Sequence, residues 1–357
     1  MTAQAARTAA GRGLALTAAL ICLLIVTFLA LHVPPVTGLT ALAVGAFGTA
    51  GHHLDAISET LVEACPLLLT GLSVVVAWRA GLFSIGAEGQ MLVGVLAAVS
   101  AAAYLRTFPA PVLTAIMLMC GCVAGALWAG AAAWLRTKRG VQEVISTIML
   151  NYAALYLVQW MVQGPLQERS HVGPYSEPLP DAVLFARLIP ATLTGGVTTR
   201  LHAGVLLALA AVPVVWAVLY RTMPGFQVRT VGQSAAAARV AGFPVERRQM
   251  QAMLLSGSLA GLAGVVELLG ISGRLSSDFS PGWGYTAVPV ALLGGLHAGG
   301  TLISALFFGA LTAGSGNLER VYGVSSTLIY IVQATAVLGV MALRAVQSRS
   351  TMAGADS

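Results

Sequence analysis

The feature that most constrains this chain is a succession of apolar runs near 20 residues long that carry no charge. The stretches from Leu14 to Val33, Pro111 to Leu135 and Leu201 to Tyr220 contain no Asp, Glu, Lys or Arg. About 20 apolar residues in a helix cross the hydrocarbon of a bilayer, and backbone groups there must be satisfied within the segment. Charged residues make up 9% of the chain, against about 25% in a soluble domain. The expected fold class is therefore an all-α polytopic membrane protein.

Ten spans account for the pattern. They run from about Leu14 to Val33, Leu61 to Trp78, Met91 to Leu105, Pro111 to Leu135 and Val141 to Val162, then Leu201 to Tyr220, Met250 to Ile271, Tyr285 to Gly294, Thr301 to Leu318 and Ser325 to Leu343. The first follows Arg7 and Arg12, as a signal peptide would. It is longer than a signal core and no small-residue cleavage site follows, so it is read as a retained helix. The segment Pro34 to Thr60 is partly apolar and Gly-containing, suited to the interface. The eighth run is too short to cross alone.

Arginine placement gives an orientation. With the N-terminus inside, the inner segments hold Arg7 and Arg12, Arg79, the Arg136–Lys138–Arg139 cluster, the 221–248 segment, and Arg344 and Arg349. The Pro-rich loop 164–200 falls outside, with Arg169, Arg187 and Arg200 balanced by Glu168, Glu177 and Asp181. Both termini are expected in the cytoplasm, with 344–357 as a tail and residues 1–357 as one transmembrane domain. The net charge of +6 does not indicate nucleic acid, because the arginines cap apolar runs instead of sharing one face.

The 221–248 segment is the main polar interruption. It carries Arg221, Arg229, Arg239, Arg247 and Arg248 against Glu246. A short helix is legible within it: Ser234 is a good N-cap, Ala235 to Ala241 favour helix, Gly242 suits the position after the C-cap, and Pro244 blocks continuation. Such a knob between two long spans is a surface for a cytoplasmic partner.

Two places read as broken helices. One is Gly81-Leu-Phe-Ser-Ile-Gly-Ala-Glu-Gly-Gln90. The other runs from Gly282-Trp-Gly-Tyr285 through Gly294-Gly295 and Gly299-Gly300. Paired interruptions at comparable places in two halves point to a solute path; close helix packing by glycine is the plainer alternative. Phe83, Glu88, Gln90, Trp283 and Tyr285 belong to these segments. Asn151 and Tyr152 stand in mid-span and offer an amide and an aromatic hydroxyl, either for a solute or for an interhelical hydrogen bond. These seven are the path candidates.

Carboxylates near apolar runs are costly and so are candidates for function. They are Glu59, Glu63, Glu88, Glu143 and Glu267. Glu59 and Glu63 sit near headgroup level, Glu143 is expected to pair with Arg139, Glu88 has no local partner, and Glu267 lies near Arg274.

Several chemistries lack their residues. Lys138 is followed by Arg139, so there is no Gly-Lys-Ser/Thr and no P-loop. There is no His-Glu-x-x-His and no Gly-x-Ser-x-Gly. Cys22, Cys65, Cys120 and Cys122 read as small hydrophobes, and no metal site or cofactor is expected.

The motifs Gly81–Gln90, Ile148-Met-Leu-Asn-Tyr152 with Gly164-Pro165, Val231-Gly-Gln-Ser-Ala-Ala-Ala-Ala-Arg-Val-Ala-Gly242 and Val290-Ala-Leu-Leu-Gly-Gly295 resemble the permease subunits of bacterial ATP-binding cassette importers. The group is the branched-chain amino acid and simple sugar permease superfamily. The Ala-Glu-Gly-Gln ending and Met-Leu-Asn-Tyr resemble its nucleoside branch, which is associated with basic membrane proteins. The likeness covers nearly the whole chain. Gly295-Leu-His-Ala-Gly299 departs from it, because relatives often place Asn and Pro there.

The resemblance implies a plasma-membrane importer with a cytoplasmic ATPase, a second permease subunit and an extracytoplasmic substrate-binding lipoprotein. The solute would be a nucleoside, with a simple sugar as the alternative. The resemblance makes 234–242 the coupling helix, so Gly232, Ser234, Ala237, Ala238, Arg239 and Gly242 would meet the ATPase. Arg229, Arg239, Arg247 and Arg248 would face acidic groups of the ATPase or lipid headgroups, the latter especially for Arg247 and Arg248. A different class, an ion-driven secondary transporter using Glu88 or Glu267, remains the remote alternative.

Overall fold

The computed structural model describes residues 34–49, 53–170, 173–189 and 199–323, with a few single positions beyond them. The expected spans Leu14 to Val33 and Ser325 to Leu343 lie outside the described residues.

Eleven helices follow one another among the described residues: α1 Pro35–Phe47, α2 His53–Arg79, α3 Ala87–Tyr104, α4 Ala110–Arg139, α5 Glu143–Val162, α6 Gly204–Arg221, α7 Met223–Gln233, α8 Ala235–Val240, α9 Val245–Glu267, α10 Trp283–Leu293 and α11 Ala298–Tyr322. A π-helical turn, Leu268–Ser272, extends α9. Among the described residues, extended pairing is confined to isolated bridges such as Tyr175 with Ser276 and Arg187 with His202. Seven helices among the described residues are long and apolar enough to cross a membrane: α2, α3, α4, α5, α6, α11, and α9 with its π turn.

The other eight expected spans coincide with helices, with shifted ends. α2 begins at His53, eight residues before the expected Leu61, and α1 occupies much of the segment read as interfacial. α10 has 11 residues, about 17 Å, against the roughly 30 Å of a bilayer core. The polar 221–248 segment holds two helices where one was expected. The missed helix, α7, starts with Thr222 accepting from Gly225 N–H at 3.1 Å and Pro224 in its first turn. Proline is compatible with a helix start because the N–H it lacks has no intrahelical partner there.

The described residues form two compact units. In the first, residues 1–60 with 308–357, α1 meets the latter part of α11. Asn317 Nδ2 donates to Ala41 O at 2.9 Å, and a Cβ on Gly45 would fall 2.6 Å from Asn317 Cβ.

The second unit, residues 61–307, centres on α3, α4 and α9. Gly121 and Gly125 of α4 lie against Gly257 and Gly261 of α9, so close that a Cβ on any of them would collide with the facing backbone or with Val265. Gly94 of α3 meets Gly261 in the same way. Small residues four apart let helix backbones touch, which is how membrane helices associate when lipid is as apolar as leucine. Val95, Val99, Met117, Val158, Val265 and Leu268 fill the core around this contact.

Candidate functional site

The first break, Ala80 to Gly86, joins α2 to α3 and lies outside both helices. Gly81 turns the chain with φ +75°. Orphan backbone groups in a bilayer must find partners, and α5 supplies them. Phe83 N–H donates to Glu143 Oε1 at 3.2 Å, Ile85 N–H to Thr147 Oγ1 at 3.3 Å and Gly89 N–H to Asn151 Oδ1 at 2.9 Å. Asn151 Nδ2 donates back to Ile85 O at 2.9 Å. Glu143, Thr147 and Asn151 are spaced by four, so they lie on one face of α5. Glu143 and Thr147 were not among the path candidates, although their spacing with Asn151 was visible.

Glu143 also forms an ion pair with Arg136 at 2.8 Å. Arg139, the expected partner, belongs to the last turn of α4, which ends at the left-handed Gly140. The turn between α4 and α5, and not the spacing of four, sets which arginine reaches the carboxylate.

The second break leads into α10. Gly282 has φ +98° and opens the helix. The next glycine, Gly284, leaves no room for a side chain against Ala87 and Glu88, so the start of α10 sits on the start of α3. There Gly284 N–H donates to Glu88 Oε2 at 2.7 Å, and Ser280 hydrogen-bonds the same carboxylate. The carboxylate thus caps the positive end of a helix, a favourable place for it. Its partner is 196 residues away in sequence, which is why no local partner was visible.

The path candidates therefore divide. Glu88, Gln90 and Asn151 are buried. Glu88 and Asn151 make the bonds that join the breaks to α10 and α5, while Gln90 Oε1 is buried without a partner among the described residues. Trp283 is half-buried and packs edge-on against Phe279 at 6.3 Å. Phe83, Tyr152 and Tyr285 are 54%, 51% and 44% exposed. Tyr285 hydrogen-bonds the Asn151 side chain and lies near Tyr152, whereas Phe83 packs edge-on against Trp78 at the Glu143 end of α5. A cavity of about 200 Å³, lined by Arg106, Gln167, Arg169 and Glu177 among others, shares no residue with either break.

The 221–248 segment has the expected capped turn. Ser234 Oγ accepts from Ala237 N–H at 3.2 Å, and Gly242 takes φ +78° after the helix. Ala238 is buried against Val231, Ala235, Phe243 and Val245. Ala237, Arg239 and Gly242 are exposed, as is Val240 at 92%. Gly232 is half-buried against the end of α2. Two arginines expected to face a partner or lipid are held internally. Arg229 lies over Tyr220, and Arg248 Nε donates to Gln227 Oε1 at 2.6 Å.

Outside the spans, His202 is fully buried, stacked on Phe185 with ring centroids 6.0 Å apart. Neither ring nitrogen has a partner among the described residues. Burial, helped by the nearby Arg187 and Arg200, pushes its pKa down to about 4. Nothing in its sequence neighbourhood marked it.

Residues 56–343 match the family described as branched-chain amino acid transport system / permease component. The chain is 38% identical over 331 residues to a glucose permease protein of Haloferax volcanii, covering 87% of each chain. It is 34% identical to the guanosine permease protein NupP of Bacillus subtilis, covering 90% of each. It is 30% identical to the nucleoside permease protein NupB of Lactococcus lactis, covering 88% of each. No solved structure matches. A family match over most of its length, together with these relatives, identifies the chain as a member of the branched-chain amino acid transport system permease family: a multi-pass transport subunit of an ATP-binding cassette importer, and not an enzyme.

Proposed function

We propose that this subunit passes a nucleoside inward across the plasma membrane along a path beside the two breaks. One observation carries the solute class: Tyr152 and Tyr285 are exposed beside Asn151, whose amide meets the Tyr285 hydroxyl at the junction of the broken segments. Aromatic faces stack on a planar base, and hydroxyl and amide groups pair with its edge or with a sugar. Glu88 is already engaged with the start of α10, so this carboxylate does not select a cation. The guanosine and nucleoside permease relatives support the same solute class.

A sugar is the second reading, favoured by the glucose permease relative. Uptake of labelled guanosine, uridine and glucose by cells with and without the importer decides between them. Glucose uptake without nucleoside uptake would overturn the nucleoside assignment.

In this proposal both termini and the 221–248 segment are cytoplasmic, 164–200 is extracytoplasmic and 344–357 is a cytoplasmic tail. Residues 1–357 act as one permease domain. The ATPase docks on Ser234, Ala237, Arg239 and Gly242, with Ala238 and Gly232 supporting that surface from behind. A second permease, most simply a different chain, completes the path. A substrate-binding lipoprotein delivers the solute from outside.

A further inference from the structure

A closed ring of contacts joins the 221–248 segment to both breaks. It starts on α7, where Arg229 lays its guanidinium over the Tyr220 ring, 4.6 Å from the centroid. The same side chain donates Nε–H to Leu219 O at 3.0 Å. Tyr220, near the end of α6, packs on His297 with ring centroids 5.4 Å apart.

His297 follows Leu296 in the turn after α10. Leu296 has φ +54°, the one non-glycine residue in that region among the described residues. A side chain makes this conformation unfavourable. The turn is held by Arg79, whose Nε donates to Leu296 O at 2.8 Å, with Nη2 3.5 Å from Gly295 O.

Arg79 is the last residue of α2, at the root of the first break. The ring closes on its backbone. Gly232, in the last turn of α7, lies against the Arg79 carbonyl so closely that a Cβ would collide with it. A Cβ on Gly81 would fall 3.1 Å from Gly232 Cα. Ser234, the cap of α8, is two residues further on.

We propose that this ring is the joint through which movement of α7 and α8 reaches both breaks, with Arg79 and Gly232 as its positioning residues. Backbone packed on backbone has no rotamer to absorb a displacement, so a shift of α7 moves the root of the first break. The same shift acts on the second break through two links, Arg79 to Leu296 and Arg229 to Tyr220 to His297. Leu296 holds its left-handed conformation against the preference of a side chain, so the turn depends on the Arg79 clamp to keep its place in the ring. The inference rests on the proposal that α8 meets the ATPase.

The test uses the full importer in proteoliposomes, reading uptake of labelled guanosine and glucose beside ATP hydrolysis. Arg79→Gln is expected to assemble with the ATPase and keep basal hydrolysis, while uptake falls by about tenfold, within the range by which residues between sites change coupling. Leu296→Gly in the Arg79→Gln background is expected to restore uptake several-fold, because glycine holds the turn without the clamp. Gly140→Ala is the strain control: φ is +67° there, with nothing near its Cβ position, and uptake should stay at the wild-type level.

Wild-type uptake in Arg79→Gln, or no recovery with Leu296→Gly, overturns the joint. Val240→Asp on exposed α8 separates the two proposals. Loss of uptake there with intact uptake in the ring variants refutes the joint alone. Unchanged uptake in Val240→Asp removes the docking surface and the joint with it.

Discussion

At the scale of single residues, Asn151 shows how a polar side chain in a membrane chain acquires its role. Its amide was recognisable in the sequence as either a solute contact or an interhelical bond. The structure gives it two backbone partners, Gly89 N–H and Ile85 O. Leaving such groups unpaired in a dry setting costs about 1–3 kcal/mol. Asn151→Leu should lower the thermal unfolding midpoint in detergent by several degrees and depress uptake. An unchanged midpoint would leave Asn151 a solute contact only. His202 makes a separate prediction through pH. Its folded pKa of about 4 lies below the ordinary 6.5, so between those values the unfolded chain binds the proton and the folded one does not. Its contribution is intact above pH 6.5 and is lost as pH falls toward 4, by roughly 3 kcal/mol at about 1.4 kcal/mol per unit. His202→Leu should flatten the midpoint against pH across that window, and an unchanged slope would assign the acid sensitivity elsewhere.

At the scale of elements, α8 separates local from tertiary information. Its cap, length and terminating glycine were legible because they depend on hydrogen bonds within four residues. Which of its alanines faces outward was not. Ala238 packs on Val231 and Val245, whereas Val240 is 92% exposed. A charge at Ala238 is therefore expected to disrupt the segment itself. Val240→Asp should leave membrane expression unchanged and reduce uptake and solute-stimulated ATP hydrolysis together. Normal hydrolysis with normal uptake in Val240→Asp would move the docking surface off this helix. The neighbouring α7 escaped sequence reading because Pro224 and Gly225 look like a turn. Their proline sits in a first helical turn, where it is tolerated, and Gly225 packs on the Val218–Leu219 backbone.

At the scale of the whole molecule, the orientation has a direct check. A cysteine at Val240 should react with an impermeant maleimide only in opened vesicles, and one at Glu177 should react in intact cells. The reverse pattern would invert the topology and remove the ATPase-facing role of α8. Deleting the ATPase should abolish uptake, and uptake that persisted would restore the ion-driven alternative.

The sequence by itself determined the class, most of the spans, the two breaks and the capped turn, because hydrophobic length, glycine and proline placement and helix caps act over a few residues. Only the tertiary structure decided that Glu88 caps α10 from 196 positions away, that Glu143 meets Arg136, and that Gly121 and Gly125 face Gly257 and Gly261. Each of those contacts exists only once separate helices are brought side by side. A chain in which most residues are apolar carries little local signal about which helix will be the neighbour.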